Sequence, residues 1–512
     1  MDFMEFWLCL LLNDPIKLYK INNYMSTSEI LNLTPENVWK YFYELTKIPR
    51  PTGQMEEVTQ FMINFGKSLN LETIQDKVGN VLIKKPATKG YESAKTVILQ
   101  SHLDMVPQKN SDVSHDFSKD SIKTYIDGDL VKARSTTLGA DNGIGCAMMM
   151  AVLEDNSLEH PSIEALFTID EEVGMDGANG LEKGFLEGSM MINLDTEEEG
   201  ELCIGCAGGR DANVSFNFKP DTNIDEGDVA YKISLKGLKG GHSGVQIHLG
   251  HANANKLMNR FLKEVVRNYE ARIASIDGGS LRNAIPRESF AVLAIPEQLS
   301  EDLLDLVDEY EQLFREDFAG IENGISLKAE LIEMPKSLLP VEIQDDLINA
   351  VEACPNGVIS YLADFPGVVE SSLNLALVKS TECNIEVKLL IRSSSESRKD
   401  WVCSSVESLF SLAGAKVEFG GDYPGWQPNA NSELLDHMVK LYYNKYNERP
   451  TVMVIHAGLE CGIIQSNVEQ KLDIVSFGPT ITGAHSPDEA VEIESVEKSY
   501  DYLVSVLENL KS

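Results

Sequence analysis

From residue 33 to residue 65 apolar side chains return every three or four positions, which predicts helix. The turn Pro49-Arg50-Pro51-Thr52-Gly53 interrupts this pattern, and a second amphipathic helix is expected over 56–69. The period then changes. Residues 81–83, 96–99, 163–169 and 190–194 are short, almost unbroken apolar runs, as expected of strands covered on both faces. Residues 142–153 between them read as a helix. Strands alternating with helices predict an α/β sheet, whose ligands gather beyond the carboxyl ends of the strands.

After Gly208-Gly209 the texture shifts to alternating segments such as 231–235, set around helices expected at 253–266 and 301–314. Two stretches share one layout. The first has a hairpin near 280–295, a helix and a strand near 325–332. The second has a hairpin near 369–392, a helix over 397–412 and a strand over 415–419. A repeated β-β-α-β unit follows in pattern, though not in residues. Beyond Trp426-Gln427-Pro428 the α/β texture returns, with a helix at 432–446 and buried strands at 452–455 and 474–477. The expected architecture is an α/β domain in two parts, 25–208 and 426–512, with a mixed sheet flanked by helices. An α+β domain at 209–425 is inserted between them.

Composition narrows the partners. The 512 residues are 43% apolar and 24% charged, ordinary values for a folded globular protein. Acidic residues outnumber basic ones 80 to 44, and a net charge of −36 repels phosphate backbones and anionic lipid, so neither nucleic acid nor a membrane surface is an expected partner. The eight cysteines are scattered, which fits a reducing, cytoplasmic setting. Cys203 and Cys206 form one C-x-x-C without a second pair and read as small buried residues. The apolar stretch 6–12 follows Asp2 and Glu5 and is far too short for a span, so it reads as neither signal nor anchor. Met25 precedes Ser-Thr-Ser-Glu, an ordinary soluble start, and residues 1–24 read as an appended or mis-assigned extension.

Each expected strand of the first domain ends in polar residues that an apolar strand does not need. Leu99-Gln100 runs into Ser101-His102-Leu103-Asp104, and Leu138-Gly139-Ala140 precedes Asp141-Asn142-Gly143. Phe167-Thr168-Ile169 runs into Asp170-Glu171-Glu172, and Ile192-Asn193-Leu194 into Asp195. Near the C-terminus the strand ending at Phe477 leads to Gly483-Ala484-His485-Ser486-Pro487-Asp488. If these ends converge, two imidazoles meet several carboxylates, and so many like charges are tolerable only around cations. Imidazole and carboxylate without thiolate suit zinc, manganese or cobalt, and a carboxylate can bridge two such ions. Singly, each residue could be a cap, Asp141 for instance at the head of its helix. Together at consecutive strand ends they point to chemistry.

Longer strings carry a resemblance. Ser101-His102-Leu103-Asp104-Met105-Val106-Pro107-Gln108-Lys109, Thr137-Leu138-Gly139-Ala140-Asp141-Asn142-Gly143-Ile144-Gly145 and Asp170-Glu171-Glu172-Val173-Gly174-Met175-Asp176-Gly177 are three of them. Gly240-Gly241-His242-Ser243-Gly244, Arg282-Asn283-Ala284-Ile285-Pro286-Arg287 and Ile455-His456-Ala457-Gly458-Leu459-Glu460-Cys461-Gly462 extend them. From about residue 33 to the end, the chain resembles the aminoacylase/carboxypeptidase clan of metallopeptidases, most closely the bacterial aminoacyl-histidine dipeptidases. The resemblance implies a cytoplasmic dipeptidase acting on dipeptides, Xaa-His included, with two divalent ions per chain, zinc first and manganese or cobalt as alternatives. It implies that His102 and Asp195 bind one ion, Glu172 and His485 the other, and Asp141 both. It makes Glu171 the general base, Asp104 the group that orients His102, and His242 a donor to the developing oxyanion. Asn283 and Arg392 become candidates for gripping the substrate carboxylate. The insert becomes a lid or dimerisation domain, with a homodimer as one arrangement.

The remaining histidines carry less. His115, His160 and His437 read as surface residues, and His248, His251 and His456 have no role that spacing assigns. Two other functions stay open at this stage. One is a tripeptidase, carboxypeptidase or aminoacylase of the same clan. The other is an inactive metal-bound scaffold that binds peptides, which loss of the base or of a ligand would favour; Glu171 and all five ligand positions are present.

Overall fold

A computed structural model of the protein describes residues 27–511. The expectation for residues 1–24 lies outside them. The chain divides into two compact units, one comprising residues up to 204 with 431–453 and 463 onward, the other 205–430 with 454–462. The sequence pattern had set the changes at 208/209 and 425/426. It had also counted 454–462 with the final part of the first domain. That segment groups with the second unit because the Ala207 amide bonds to the carbonyls of Ile455 and Ala457, and the His456 ring to Ser372.

The first unit is built on an eight-stranded mixed sheet. Its centre is four strands, β1 (Val97–His102), β2 (Ile163–Thr168), β3 (Met190–Asn193) and β4 (Asp473–Ser476), all parallel and in the spatial order β2-β1-β3-β4. Antiparallel strands lie outside, Val81–Lys85 against β2 and Glu201–Cys206 against β4. Every residue of β1, β2 and β3 is buried, which is why these strands read as continuous apolar runs rather than alternating ones. Even Glu164 is buried in β2, its carboxylate 3.1 Å from Lys84 Nζ and accepting the amides of Glu187 and Gly188.

The polar residues inside these strands form a belt across them. Gln100 Nε2 donates to Thr168 Oγ1 at 3.1 Å, Asn193 Nδ2 donates to Gln100 Oε1 at 2.6 Å, and Ser476 Oγ donates to Asn193 Oδ1. A slip of one residue would turn each of these groups to the other face unpaired, so the belt sets the register of all four strands beneath their carboxyl ends.

Helix α1 (Ala140–Glu154) packs on β1 and on the helix Glu36–Thr46. It is buried from Ala140 to Leu153, and beyond Asp141 and Asn142 it carries no polar side chain up to Leu153. A small four-stranded sheet pairs Ile481–Thr482, Ala490–Glu492, Leu130–Ala133 and Thr124–Asp127, and His485 lies in the turn between the first two.

The second unit holds a nine-stranded sheet whose two halves mirror each other. From one edge run Ser326–Ile332, Asp228–Lys236, Ser289–Pro296 and Arg272–Gly278; from the other run Lys416–Tyr423, Gly208–Asn217, Asn384–Ser393 and Val369–Ser380. The strand ladder passes from one half to the other at Asp277↔Lys379 and Gly278↔Val378, beside hydrogen bonds between Ile276 and Ser380. Helices Ser300–Asp317 and Glu396–Leu412 occupy matching places between hairpin and outer strand, the layout seen twice in the sequence. Helix Ala254–Asn268 is capped by Asn253, whose side chain accepts from the Asn255 and Lys256 amides, and it buries Leu257, Met258, Phe261, Leu262 and Val265 on one face.

Two expectations need correction. The hairpin near 280–295 is built from Arg272–Gly278 and Ser289–Pro296, and 279–288 is its connection, with Gly279 at φ +80° ending the first strand. His160 is fully buried, with Nδ1 2.7 Å from the Pro161 carbonyl and its amide donating to Thr88 Oγ1 at 2.8 Å. It belongs to the turn that feeds β2, where a pattern of sequence polarity cannot distinguish a packed loop from an exposed one. His115 and His437 are half-buried. Cys203 and Cys206 are buried. Among the described residues no helix is long and apolar enough to cross a membrane.

Candidate active site

The carboxyl ends of β1, β2 and β3, the head of α1 and the turn that carries His485 bring the sequence-selected residues of the first unit together. His102 is the last residue of β1; its Nε2 lies 3.0 Å from Asp141 Oδ1 and 3.3 Å from Asp195 Oδ1. His485 Nε2 lies 2.9 Å from Glu172 Oε2 and 3.2 Å from Asp141 Oδ2. The two oxygens of Asp141 therefore face two different imidazoles, one on each side. Ligand atoms of His102, Asp141 and Glu172 all fall within 4.8 Å of one another, and these three could hold a metal ion.

The supporting contacts explain how chain segments so distant in sequence reach this geometry. Asp104 sits 3.4 Å from His102 Nδ1, and its two oxygens accept the amides of Glu171 at 3.0 Å and Glu172 at 3.2 Å and the hydroxyl of Thr52 at 2.9 Å. One buried carboxylate thus orients the imidazole on β1 and the glutamate pair after β2. Asp170 has φ +51° and accepts the Gly53 amide at 2.6 Å, so the chain turns before the pair and the extended alternation that would send Glu171 and Glu172 to opposite faces does not apply. Asp141 and Asn142 leave helical geometry at the head of α1, and Asn142 Nδ2 donates to the Leu194 carbonyl at 2.7 Å and to Asp195.

Charge decides what the cluster can hold. Burial disfavours a charged His102, but Asp195, Asp104 and Asp141 outweigh it and raise its pKa well above the ordinary value. Hydrogen bonds that the ring donates to Asp141 and Glu172 lift His485 to about 11. Burial opposes the charge on Asp104, yet His102, the Glu171 amide and Thr52 bring it down to about 2. Two further acids go the other way: burial and neighbouring carboxylates push Asp195 up to about 6 and Glu197 up to about 8. The imidazoles alone leave surplus negative charge. Glu172 Oε1 is moreover buried without a hydrogen-bond partner among the described residues. An oxygen-rich, imidazole-containing cluster with an orphaned carboxylate oxygen fits a divalent cation, which would replace the protons on the imidazoles.

The other three sequence candidates lie in the second unit. His242 Nδ1 accepts the amides of Gly244 at 3.1 Å and Val245 at 3.2 Å. That leaves the ring proton on Nε2, which has no hydrogen-bond partner among the described residues. Burial and then the charge of Arg392 lower the pKa of His242, so the neutral donor form prevails at neutral pH. His242 and Asn283 line one cavity of about 600 Å³ together with Lys239 and Arg287, and the Asn283 carbonyl accepts the Ser243 amide at 2.8 Å. Arg392 is not among the lining residues. It is buried, and its Nη1 donates to the Tyr423 hydroxyl at 2.9 Å.

His456, to which the sequence assigned no role, is pinned by Ser372 Oγ at 2.7 Å from its Nε2 and by the Val369 backbone. Burial first, then the charges of Arg392, His242 and His248, lower its pKa to about 3. An unfolded histidine titrates near 6.5, so between these values the unfolded chain binds the extra proton, and stability drains as pH falls through that window at up to about 1.4 kcal/mol per unit. His456→Gln is expected to make the fall of the melting temperature between pH 6.5 and 4 shallower than in the parent protein. An unchanged slope would show that another group carries the acid loss.

Comparison with known proteins follows the same lines. The chain is 45% identical over 483 residues to the cytosol non-specific dipeptidase of Escherichia coli K12, covering 94% of this chain and 99% of that one. The crystal structure of aminoacylhistidine dipeptidase from Vibrio alginolyticus superposes with a TM-score of 0.89 at 44% identity, over 94% of this chain and 98% of that chain. An aminopeptidase from Bacillus cereus shares the fold at 15% identity, with a TM-score of 0.55 over 94% of this chain and 100% of that one. Residues 98–509 match the sequence pattern of Peptidase family M20/M25/M40, and with the relatives above this shows that the chain belongs to that family.

Proposed function

We propose that the protein is a metal-dependent dipeptidase that hydrolyses the peptide bond of dipeptides, Xaa-His among them, in the cytoplasm. Its cofactor is two divalent ions per chain, zinc first. The observation that supports this most is the placement of Asp141, with one oxygen toward His102 and the other toward His485. His102 and Asp195 would hold one ion and Glu172 and His485 the other, with Asp141 placed to serve both. Bound there, such a pair supplies Lewis acidity for the scissile carbonyl and lowers the pKa of water.

The chain's own residues do the rest. Glu171 takes the proton of the attacking water and returns one to the leaving amine. Asp104 keeps His102 in one orientation through Nδ1. His242 donates Nε2–H to the oxygen on which negative charge develops, while Asn283 and Arg392 receive the substrate carboxylate. The relatives' names differ in breadth, one being non-specific and one aminoacyl-histidine directed, and we assign the broader substrate class here.

Chelation is expected to abolish activity, and zinc, manganese or cobalt to restore it, with about two ions per chain in the active protein. Assay of the restored protein on dipeptides, tripeptides and N-acyl amino acids then tests the substrate class, with turnover expected on dipeptides. Full activity after exhaustive metal removal would overturn the di-metal mechanism, and preference for tripeptides or N-acyl amino acids would overturn the substrate.

A further inference from the structure

Two buried charged residues that the sequence did not single out grip the Asp141 loop, one by its amides and one by the Gly139 carbonyl. Glu489, 2% exposed, accepts four consecutive backbone amides. Its Oε2 receives Leu138 N–H at 2.7 Å and Gly139 N–H at 3.0 Å, and its Oε1 receives Ala140 N–H at 2.7 Å and Asp141 N–H at 3.2 Å. Arg50, also 2% exposed, binds the same region through carbonyls. Its Nη1 donates to Leu103 at 2.9 Å and Asp104 at 3.1 Å, and its Nη2 to Gly139. Among the described residues no ion pair joins Arg50 to Glu489. Each spends its charge on backbone, and so each links segments that carry proposed ligands: Arg50 ties the end of β1 to the Asp141 loop, and Glu489 ties the loop to the His485 turn four residues before it.

The local sequence is shaped to admit this. A Cβ at Gly139, which has φ +69°, would stand 2.5 Å from Arg50 Nη2 and 2.8 Å from Met105 Sδ, and one at Gly143 would stand 2.6 Å from the same Nη2. Burying two full charges costs several kcal/mol each before compensation. Fold stability alone is served as well by apolar packing, whereas a charge that saturates backbone donors or acceptors fixes the path of a loop to within a hydrogen bond's tolerance. The loop fixed here is the one that leaves helical geometry at Asp141 and aims its carboxylate at two imidazoles.

We infer that Arg50 and Glu489 are positioning residues that clamp the Asp141 loop by the Gly139 carbonyl and by four consecutive amides, and so hold the Asp141 carboxylate in place for a second divalent ion. This rests on the di-metal function proposed above. Glu489→Gln keeps the size of the side chain but turns an NH₂ toward two of the four amides; Arg50→Lys keeps the charge but cannot span three carbonyls on two segments.

The test is calorimetric titration of the metal-stripped full-length protein with zinc alone, beside the parent protein and Phe65→Leu, a packing defect in the remote helix Glu56–Ser68. Both variants are expected to bind the second zinc about 10- to 100-fold more weakly than the parent. Activity should recover at excess zinc, and Phe65→Leu should lose melting temperature without losing zinc affinity. Parent-like affinity for both ions in Glu489→Gln and Arg50→Lys would overturn the inference, as would equal weakening in Phe65→Leu. If Glu489→Gln does not fold, Arg50→Lys decides by the same criteria, and failure of both to fold overturns it by assigning the pair to folding alone. A parent protein that takes up no zinc would count against the di-metal function itself and not against the clamp.

Discussion

Glu171→Gln is expected to lower turnover by about 100-fold or more while the protein keeps its full complement of metal. The amide has the shape of the carboxylate but cannot accept a proton at neutral pH, and positioned general acid–base groups contribute about 10²- to 10⁴-fold. Retention of metal follows from the geometry around the pair. The backbone of both glutamates is held by Asp104, and it is the Glu172 carboxylate that lies 2.9 Å from His485 and groups with His102 and Asp141. Turnover and KM measured beside metal content by elemental analysis check this directly. A fall in kcat with KM little changed marks a group that acts in the transition state. Loss of an ion from Glu171→Gln would reverse the roles of the two glutamates.

His242→Ala is expected to reduce kcat by about 100- to 1,000-fold, the usual cost of removing one donor to a developing oxyanion, again with metal content unchanged. The argument rests on the ring's tautomer. With Nδ1 committed to the Gly244 and Val245 amides, Nε2 carries the proton, and with the pKa lowered the ring offers it as a neutral donor at pH 7. His242 and the proposed ligands belong to different units of the chain, so a homodimer would permit donation in trans. Mixing His242→Ala with Glu171→Ala chains under conditions of subunit exchange separates the two cases. Regained activity supports donation in trans, and none supports donation in cis. An unchanged kcat for His242→Ala alone would remove this histidine from the chemistry.

Much of the first unit was legible along the chain because a strand buried on both faces admits almost no polar residue, so those at its carboxyl end stand out. His102, Glu172 and Asp195 stand out that way; Asp141, expected after a strand, instead heads α1, and His485 lies in the turn of the small sheet, yet all five lie together. The repeated hairpin-helix-strand layout of the second unit was visible for a similar reason, since alternation and helical period are local properties of ten or so residues. Resemblance to known peptidases supplied the role of each residue, which pattern could not.

Other features are properties of the tertiary structure only. The order β2-β1-β3-β4 and the belt through Thr168, Gln100, Asn193 and Ser476 depend on pairings across 68, 93 and 283 residues, and each polar member looks like a flaw in its own strand. Arg50 and Glu489 escaped notice because they bind backbone, and a backbone amide or carbonyl leaves no mark in the sequence of the segment that offers it. Asn142, which holds Asp195, hid beside a more conspicuous aspartate. His160 and the segment 454–462 were misplaced because burial of a loop is decided by what packs over it. The sequence alone therefore determined which side chains could do chemistry at the strand ends; only the folded chain decided which distant backbone groups hold them there.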